Sequence, residues 1–272
     1  MRLAISNIAW DVEEDYSIAK LLVRNDIDAI DIAPGKYFPD PTNATQSDIL
    51  EVKKWWENHN IEITGMQALL FGTTGLNVFG SKEVQFSLLN HLSAICRIGG
   101  LLGARRLVFG SPKNRDRTGL SDSRVIDEAT DFFYKLGNIA KENDVIVCLE
   151  PNPKCYGANF MITSSETAGI VRKINHPSIR MQLDTGAITI CQEEIDQILE
   201  GSSEIIGHIH ASEPNLLPIG DGDTDHTKIY NSLRRYIPDH IVSIEMLATS
   251  PEIHESSIAR ALATAISIYR PI

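Results

Sequence analysis

Short apolar runs alternate with longer helix-like segments along this chain, and this alternation restricts the fold more than any other feature. The runs lack a strict apolar–polar alternation, as expected for strands buried on both faces. We predict strands at Leu3–Ala9, Ala29–Ala33, Glu62–Ala68, Arg106–Phe109, Val145–Glu150, Arg180–Asp184, Ile206–His210 and Val242–Glu245. Alternating strands and helices imply a parallel sheet with right-handed crossovers. Eight such units in 272 residues predict an α/β protein, a closed (β/α)₈ TIM barrel.

Helix-like segments follow each predicted strand. They are Tyr16–Asn25, Ser47–Asn58, Lys82–Gly100, Ser123–Asn143, Ser165–Asn175, Glu193–Leu199, Thr227–Tyr236 and Glu252–Tyr269. Ser250-Pro251-Glu252 places a capping serine before a proline at the first helical position. An open doubly wound sheet is the alternative, but no GxGxxG motif follows the first strand, so a dinucleotide site lacks support. We expect one barrel domain over residues 1–272, with its active site at the C-terminal mouth of the strands.

Four metal-type side chains close four consecutive apolar runs in the second half of the chain. Glu150, Asp184, His210 and Glu245 are separated by 34, 26 and 35 residues, each about one strand-plus-helix unit. In a parallel barrel all C-terminal strand ends face the same mouth, so three carboxylates and one imidazole would gather there. One acidic residue after a strand is more often a helix cap, but four successive strand ends are hard to explain in that way. The set suits one divalent cation, with Mn²⁺ favoured and Mg²⁺, Co²⁺ or Zn²⁺ as alternatives.

Other polar and aromatic residues near the predicted mouth are candidate substrate contacts. His208 lies two residues before His210 and therefore on the same face of its strand. It could contact substrate, support the metal ligands, or be a hydrogen-bonded core histidine. Trp10, at the end of the first strand, could pack on the apolar face of a sugar or seal the barrel top. The full set of candidate substrate contacts is His208, Lys113, Arg115, Lys154, Asn152 and Trp10.

Cationic residues are concentrated in two of the predicted mouth loops. Lys113 and Arg115 follow the fourth strand, and Lys154 follows Glu150 after the fifth. In an acidic protein such residues suggest binding of an anionic or hydroxyl-rich group, although a solvated loop is an equal alternative.

Charge and cysteine usage exclude several classes of partner. The net charge of −11 argues against DNA or RNA, which require clustered lysine and arginine. No apolar run reaches the ~18 residues of a membrane helix, and no secretory signal opens the chain. The four cysteines contain no CxxC pair, so we expect reduced thiols in a cytoplasmic protein.

The chain resembles the xylose isomerase-like barrels, also called the sugar phosphate isomerase/epimerase family, over essentially its whole length. In that family the equivalents of Glu150, Asp184, His210 and Glu245 hold one divalent metal. In its ketose 3-epimerases the two glutamates also move the proton. The resemblance further implies a homo-oligomer, a dimer or tetramer. The motifs that carry it are Cys148-Leu149-Glu150-Pro151-Asn152, Gln182-Leu183-Asp184-Thr185-Gly186, Gly207-His208-Ile209-His210-Ala211-Ser212 and Ser243-Ile244-Glu245-Met246.

The chemistry of epimerisation agrees with this residue set. Inverting a carbon next to a carbonyl requires a base on each face of that carbon. A cation would stabilise the ene-diolate as a Lewis acid. Glu150 on strand 5 and Glu245 on strand 8 approach the centre from well-separated directions. We therefore expect a metal-dependent epimerase or isomerase of carbohydrate metabolism, with a small-molecule sugar or sugar derivative as substrate and these glutamates as the acid/base pair.

Two positions depart from the ketose 3-epimerases. Those enzymes carry a histidine three residues after the metal aspartate and an arginine six after the metal histidine, where this chain has Ala187 and Leu216. We therefore expect this chain to share the scaffold and the metal site of the ketose 3-epimerases but not their substrate. A metal-dependent lyase or dehydratase acting on a keto-sugar or inosose is the alternative, since its first step is the same proton abstraction. A non-catalytic binding protein that keeps the metal site is a further alternative.

An endonuclease IV-like hydrolase is the least favoured alternative. That enzyme uses three zinc ions and more histidines, including some at the ends of strands 2 and 3. Here those ends offer Asp31, Ala33 and Gln67. The negative net charge is also unfavourable for DNA.

Overall fold

Parallel strands close into a barrel in the computed structural model, which describes residues 1–250 and 252–271. Each strand pairs with the next in sequence, and β1 pairs with β8, Ile5 lying opposite Ile244. The strands are β1 Leu3–Ser6, β2 Ala29–Ile32, β3 Glu62–Met66, β4 Arg106–Phe109, β5 Ile146–Leu149, β6 Ile179–Asp184, β7 Ile206–Ser212 and β8 Val242–Glu245. The predicted α/β fold, a (β/α)₈ barrel, is confirmed, and each predicted strand is present with small differences at its ends.

Helices surround the barrel and return the chain to the start of each next strand. They are α1 Asp15–Arg24, α2 Gln46–Glu57, α3 Lys82–Leu102, α4 Asp122–Glu142, α5 Ser164–Ile174, α6 Thr185–Cys191, α7 Ile195–Ser202, α8 His226–Tyr236 and α9 His254–Tyr269. Helix α6 was not predicted. Helix α9 begins at His254 rather than Glu252, and the predicted proline at its start, Pro251, lies outside the described residues.

Local sequence explains why the helices begin and end where they do. Thr45 caps α2 by accepting the Asp48 backbone N–H, while the Asp48 carboxylate accepts from the Thr45 backbone N–H at 3.1 Å. This reciprocal pair satisfies two of the donors that a helix start leaves open. Helix α3 stops at Gly103, whose φ of 87° lies in the left-handed region that glycine adopts without a Cβ penalty.

Apolar packing lies between the strands and the helices, whereas the barrel interior is polar. Ile30 and Ile32 of β2 join the apolar core, and Asp31 between them points inward, where it contacts His208 of β7. Arg106 of β4 also crosses the interior, because its Nε donates to the Gly207 carbonyl at 2.8 Å. Alternate strand residues therefore supply an apolar outer layer and a polar axis that leads towards the mouth.

A helix that crosses a membrane must be both long and apolar. Within residues 1–250 and 252–271, none of them is both long and apolar enough to cross a membrane.

Candidate metal centre

Glu150, Asp184, His210 and Glu245 converge at the C-terminal mouth of the barrel. One ligand atom from each lies within 4.8 Å of the ligand atoms of the other three. Glu150 directly follows β5, Asp184 and Glu245 end β6 and β8, and His210 lies within β7. All four are buried, His210 completely. The structure thus brings together the residues that strand ends alone predicted to meet.

The imidazole of His210 faces two of the three carboxylates. Its Nδ1 lies 3.4 Å from Glu150 Oε1 and 3.2 Å from Glu245 Oε2. Its Nε2 points the other way, towards Asp31, whose Oδ2 is 4.0 Å away. Nδ1 is therefore the histidine nitrogen that faces the centre of the cluster.

Amide and hydroxyl groups hold the carboxylates in place. Gln67 Nε2 donates to Glu245 Oε1 at 2.7 Å, and Asn152 Nδ2 donates to Glu150 Oε2 at 3.1 Å. Asp184 accepts from the Ser212 hydroxyl at 2.7 Å. Such partners fix the orientation of carboxylates that bind a metal.

Neither the Gln67 nor the Ser212 contact was foreseen from the sequence. Ser212 could have been found, since it lies two residues after His210 on the same strand face. The position of Gln67 at the end of strand 3 is visible in the sequence, but nothing in the sequence indicates which carboxylate its amide reaches.

A glycine makes room for one of these carboxylates. A Cβ built on Gly110, directly after β4, would lie 2.0 Å from Glu150 Oε2. Any larger residue at this position would push the Glu150 side chain away from the cluster. The absence of a side chain at position 110 is thus part of the site.

The electrostatics of the cluster favour a cation. Burial, together with the charges of Glu245 and Glu150, raises the pKa of Asp184 to about 8. Burial opposes protonation of His210, yet the two glutamates raise its pKa well above the ordinary value. Burial would also raise the pKa of Glu245, but the charge of His210 and hydrogen bonds from His210 and Gln67 hold it below the ordinary value. Negative charge is thus concentrated here with one imidazole to balance it.

The donor set fits a divalent metal ion. Among residues 1–250 and 252–271, no lysine or arginine forms an ion pair with Glu150, Asp184 or Glu245. Three carboxylates and one imidazole are ligands that Mn²⁺, Mg²⁺, Zn²⁺ and Co²⁺ accept. The arrangement can therefore hold one such ion through Glu150, Asp184, His210 and Glu245.

Two adjoining cavities open beside the two glutamates and share Glu150, Leu216, Glu245 and Leu247. The first, which we call the apolar cavity, has a volume of about 480 Å³. Its walls are mainly aliphatic and aromatic and include Ile8, Leu69, Leu70, Phe71 and Val108. The second, the polar cavity, has a volume of about 360 Å³ and includes Asn152, Tyr156, Asp184, Glu213 and Asn215. Both volumes lie within the range of small-molecule sites.

The predicted substrate contacts lie in different environments. Asn152 lines the polar cavity. His208 is buried one layer deeper and its Nε2 lies 2.7 Å from Asp31 Oδ2, which makes it a hydrogen-bonded core histidine. Trp10 is fully buried, donates from Nε1 to Asp15 Oδ1 at 2.7 Å and packs against Trp56, so its contacts are those of a core residue. Neither His208 nor Trp10 lines the two cavities.

The three predicted cations do not line these cavities either. Arg115 is buried, and it donates to the Glu150 carbonyl at 2.7 Å and to Asn152 Oδ1. Burial lowers its pKa to about 10. It braces the segment that carries Glu150. Lys113 and Lys154 are exposed, in short turns after β4 and β5.

Comparison with known proteins agrees with this architecture. The family model for the xylose isomerase-like TIM barrel matches residues 19–266. The chain belongs to this family. No curated protein sequence matches it.

Several solved structures are similar to this xylose isomerase-like barrel over almost the whole chain. D-psicose 3-epimerase from Clostridium cellulolyticum H10, solved with D-tagatose, has a TM-score of 0.81 at 16% identity, covering 99% of each chain. The E. coli 3-keto-D-glucoside 4-epimerase has a TM-score of 0.78 at 16% identity, covering 97% of this chain and 99% of its own. The IOLI protein, solved with a zinc atom, has a TM-score of 0.77 at 17% identity, covering 99% and 98%. At these identities the likeness shows the fold.

The positions at which this xylose isomerase-like chain departs from the ketose 3-epimerases both lie at the site. Ala187 lines the polar cavity, and Leu216 lines both cavities. An alanine and a leucine thus stand where those enzymes carry a histidine and an arginine. Neither side chain can donate or accept a hydrogen bond.

Proposed function

We propose that this protein is a divalent-metal-dependent epimerase or isomerase of a sugar or sugar derivative, with Glu150 and Glu245 as its acid/base pair. The observation that carries the proposal is the convergence of these two glutamates with Asp184 and His210 on one point that opens into both cavities. The structurally similar D-psicose 3-epimerase and 3-keto-D-glucoside 4-epimerase support this class of reaction.

The two glutamates are arranged alike, which suits a reaction that needs a base on each face of one carbon. In each, one carboxylate oxygen faces His210 Nδ1 and the other accepts a hydrogen bond from a side-chain amide. Glu245 is held by Gln67, and Glu150 by Asn152. The amide-bonded oxygens, Glu245 Oε1 and Glu150 Oε2, are the atoms to which we assign proton transfer.

Glu150, Asp184, His210 and Glu245 would hold the metal. When bound there, a divalent cation would supply Lewis-acid polarisation of the substrate carbonyl. One glutamate removes the proton, and the other glutamate returns a proton to the opposite face of the same carbon. Burial of both carboxylates limits access of water to the reacting carbon. We propose Mn²⁺ as the ion. Elemental analysis that finds about one Mn²⁺ per chain would support this choice. A content near three zinc ions per chain would instead favour the endonuclease IV-like hydrolase.

The test is solvent deuterium exchange into substrate by manganese-loaded protein, over a panel of keto-sugars. We expect incorporation at one carbon by the wild type. Glu150→Gln and Glu245→Gln should each reduce formation of the epimer by about 10²–10⁴-fold, because inversion of the carbon needs a group on each face. Glu204→Gln, a change at an exposed position far from the mouth, is the control and should leave exchange unchanged.

Normal turnover in both glutamine variants would contradict the two-base mechanism. A product lighter than the substrate by one water would instead identify a lyase or dehydratase, which shares the first proton abstraction.

A further inference from the structure

The two cavities beside the glutamates differ in what they offer a ligand. Besides Glu150 and Glu245, the apolar cavity contains the polar side chains of Lys36, Gln67 and Ser111. Each of these three already forms at least one hydrogen bond to the protein, and among their atoms Gln67 Oε1 is an acceptor without a partner in the described residues. Gln67 Nε2 donates to Glu245 at 2.7 Å and Ser111 Oγ to Asn114 Oδ1 at 2.6 Å, while Lys36 Nζ donates to the carbonyls of Asn7, at 2.8 Å, and Trp10.

Lys36 is also unsuited to recruit an anionic group such as phosphate. Burial lowers its pKa, and the neighbouring Asp11, Asp15 and Glu14 oppose that change through their negative charges. Its ammonium group is already held by two backbone carbonyls. Because most of the wall is aliphatic or aromatic, a hydroxyl-rich or anionic moiety placed here would lose more hydration than the few polar groups can replace.

The polar cavity offers free hydrogen-bonding groups instead. Among the described residues, the Asn215 side chain has no protein partner, and the Tyr156 hydroxyl accepts from the Asn215 backbone N–H at 2.8 Å, which leaves its own proton available. Asn152 Nδ2 has a second hydrogen beyond the one given to Glu150. Polyol hydroxyls can therefore be satisfied on this side of the glutamates.

Apolar side chains also stand exposed at the rim of the apolar cavity. Phe71 is 86% exposed, and Leu247, which lines both cavities, is 50% exposed. Large exposed apolar groups beside a concave site indicate a surface that an apolar ligand covers. Since this cavity holds about 480 Å³, it can accept a group of aromatic-ring size or larger next to the reacting carbon.

We propose that the substrate is bipartite: a keto-sugar ring that binds in the polar cavity, joined to an aromatic or other apolar aglycone that binds between Val108, Leu70 and Phe71 in the apolar cavity. This inference rests on the proposed epimerase function and narrows its substrate class to glycosides or similar conjugates. It also explains why Ala187 and Leu216 are tolerated, because the aglycone would supply binding that a free ketose obtains from polar contacts.

The test uses two probes that differ only in the aglycone, methyl and phenyl 3-keto-β-D-glucopyranoside, with D-fructose as a free ketose. Manganese-loaded protein is assayed for deuterium exchange and, by calorimetry, for binding. We expect the phenyl glycoside to exceed the methyl glycoside in kcat/KM by roughly tenfold to a hundredfold, from the aromatic area removed from water. D-Fructose should be the poorest of the three.

Matched variants test whether the preference for the phenyl glycoside arises in the apolar cavity. Val108→Thr keeps the side-chain shape but introduces a hydroxyl into the apolar wall, and should reduce the phenyl-over-methyl ratio severalfold. Val171→Thr makes the same change at a buried position of α5 outside both cavities, and should leave the ratio unchanged. Tyr156→Phe should weaken both glycosides alike, because it acts on the shared sugar ring.

The possible results separate this inference from the proposed function. Exchange on D-fructose or the methyl glycoside as fast as on the phenyl glycoside would keep the epimerase and overturn the bipartite substrate. Tighter binding of the phenyl glycoside without any exchange would keep the aglycone site and overturn the epimerase. Neither exchange nor a binding preference would overturn both. If Phe71→Ser left the phenyl preference intact but dissociated an oligomer, the rim would be an interface between copies of this chain, and the aglycone site would be refuted.

Discussion

Asp184→Asn should stabilise the metal-free protein at neutral pH and abolish its stabilisation by metal. In chelator-treated protein, burial and the charges of Glu245 and Glu150 raise the pKa of Asp184 to about 8 from an ordinary value of 3.8. A carboxyl with a raised pKa contributes its full stability below the unfolded value, where it is protonated in both states. That stability is lost as pH rises from 3.8 to about 8, because the folded state then retains a proton that the unfolded state releases.

The size of the effect follows from this pKa. About three pH units separate 3.8 from pH 7, and each is equivalent to ~1.4 kcal/mol, so Asp184 costs the metal-free fold about 4 kcal/mol at pH 7. Asparagine removes this cost. It keeps one acceptor for the Ala187 N–H and can lose the Ser212 hydrogen bond, which costs about 1–2 kcal/mol. The net gain is about 2 kcal/mol, or roughly 4–8 °C in Tm for a domain of this size.

The assay is thermal unfolding at pH 5 and pH 7, first with chelator and then with MnCl₂. The wild type should gain about 2.7 kcal/mol at a metal concentration 100 times Kd, whereas Asp184→Asn should gain almost nothing. The advantage of the variant over the wild type should shrink at pH 5, nearer the ordinary pKa. Asp127→Asn, on the exposed face of α4, is the control and should match the wild type throughout.

Two outcomes would refute this reasoning. If metal-free Asp184→Asn were less stable than the wild type at pH 7, the three carboxylates would not repel one another as the structure implies. If the variant kept the full Tm increase with MnCl₂, Asp184 would not be a ligand. An unchanged Tm in every condition would contradict both the electrostatic cost of Asp184 and its role as a metal ligand.

Two further changes test the surroundings of the cluster. Asp31→Asn weakens the buried hydrogen bond to His208 and should lower the free energy of unfolding by about 1–3 kcal/mol, measured by urea denaturation. An unchanged free energy of unfolding would mean that this pair contributes little. Gly110→Ala should fold normally, since the atoms nearest its new Cβ belong to the Glu150 side chain rather than to backbone, but it should weaken Mn²⁺ binding by about tenfold or more. Unchanged metal affinity would show that the carboxylate can be displaced without loss.

The barrel could be predicted because both the strand patterns and the helix patterns of the sequence favour it. Val147, Ile244 and their neighbours form short apolar runs that suit strands buried on both faces, and the helical segments between them have the length of a crossover. Helix α6 was missed for a physical reason. Asp184 is both the end of β6 and the cap of this helix, accepting the Ala187 N–H at 2.6 Å, and the helix itself is rich in Thr, Ile and Gly, which are poor helix formers.

The four converging residues could be predicted because strand ends fix both their position and their direction. Residues on loops could not be placed in this way. Arg115 was expected to face a ligand, yet the turn after β4 directs its guanidinium inward to the Glu150 carbonyl. Trp10 likewise turns away from the mouth to reach Asp15. Such directions depend on loop conformations that are determined by contacts distant in sequence.

This division between strands and loops also bears on substrate choice. The candidate ligands lie on or directly after the strands and do not depend on loop conformation, so the same metal centre can serve barrels with different mouths. Here the segments after β1, β2, β3 and β4 supply most of the apolar wall, and those after β5, β6 and β7 supply most of the polar one, while Leu216 and Leu247 line both cavities. The boundary between the two walls passes through Glu150 and Glu245. A substrate that spans this boundary would place its reacting carbon between the two glutamates, with its polar and apolar ends fixing which face meets each carboxylate.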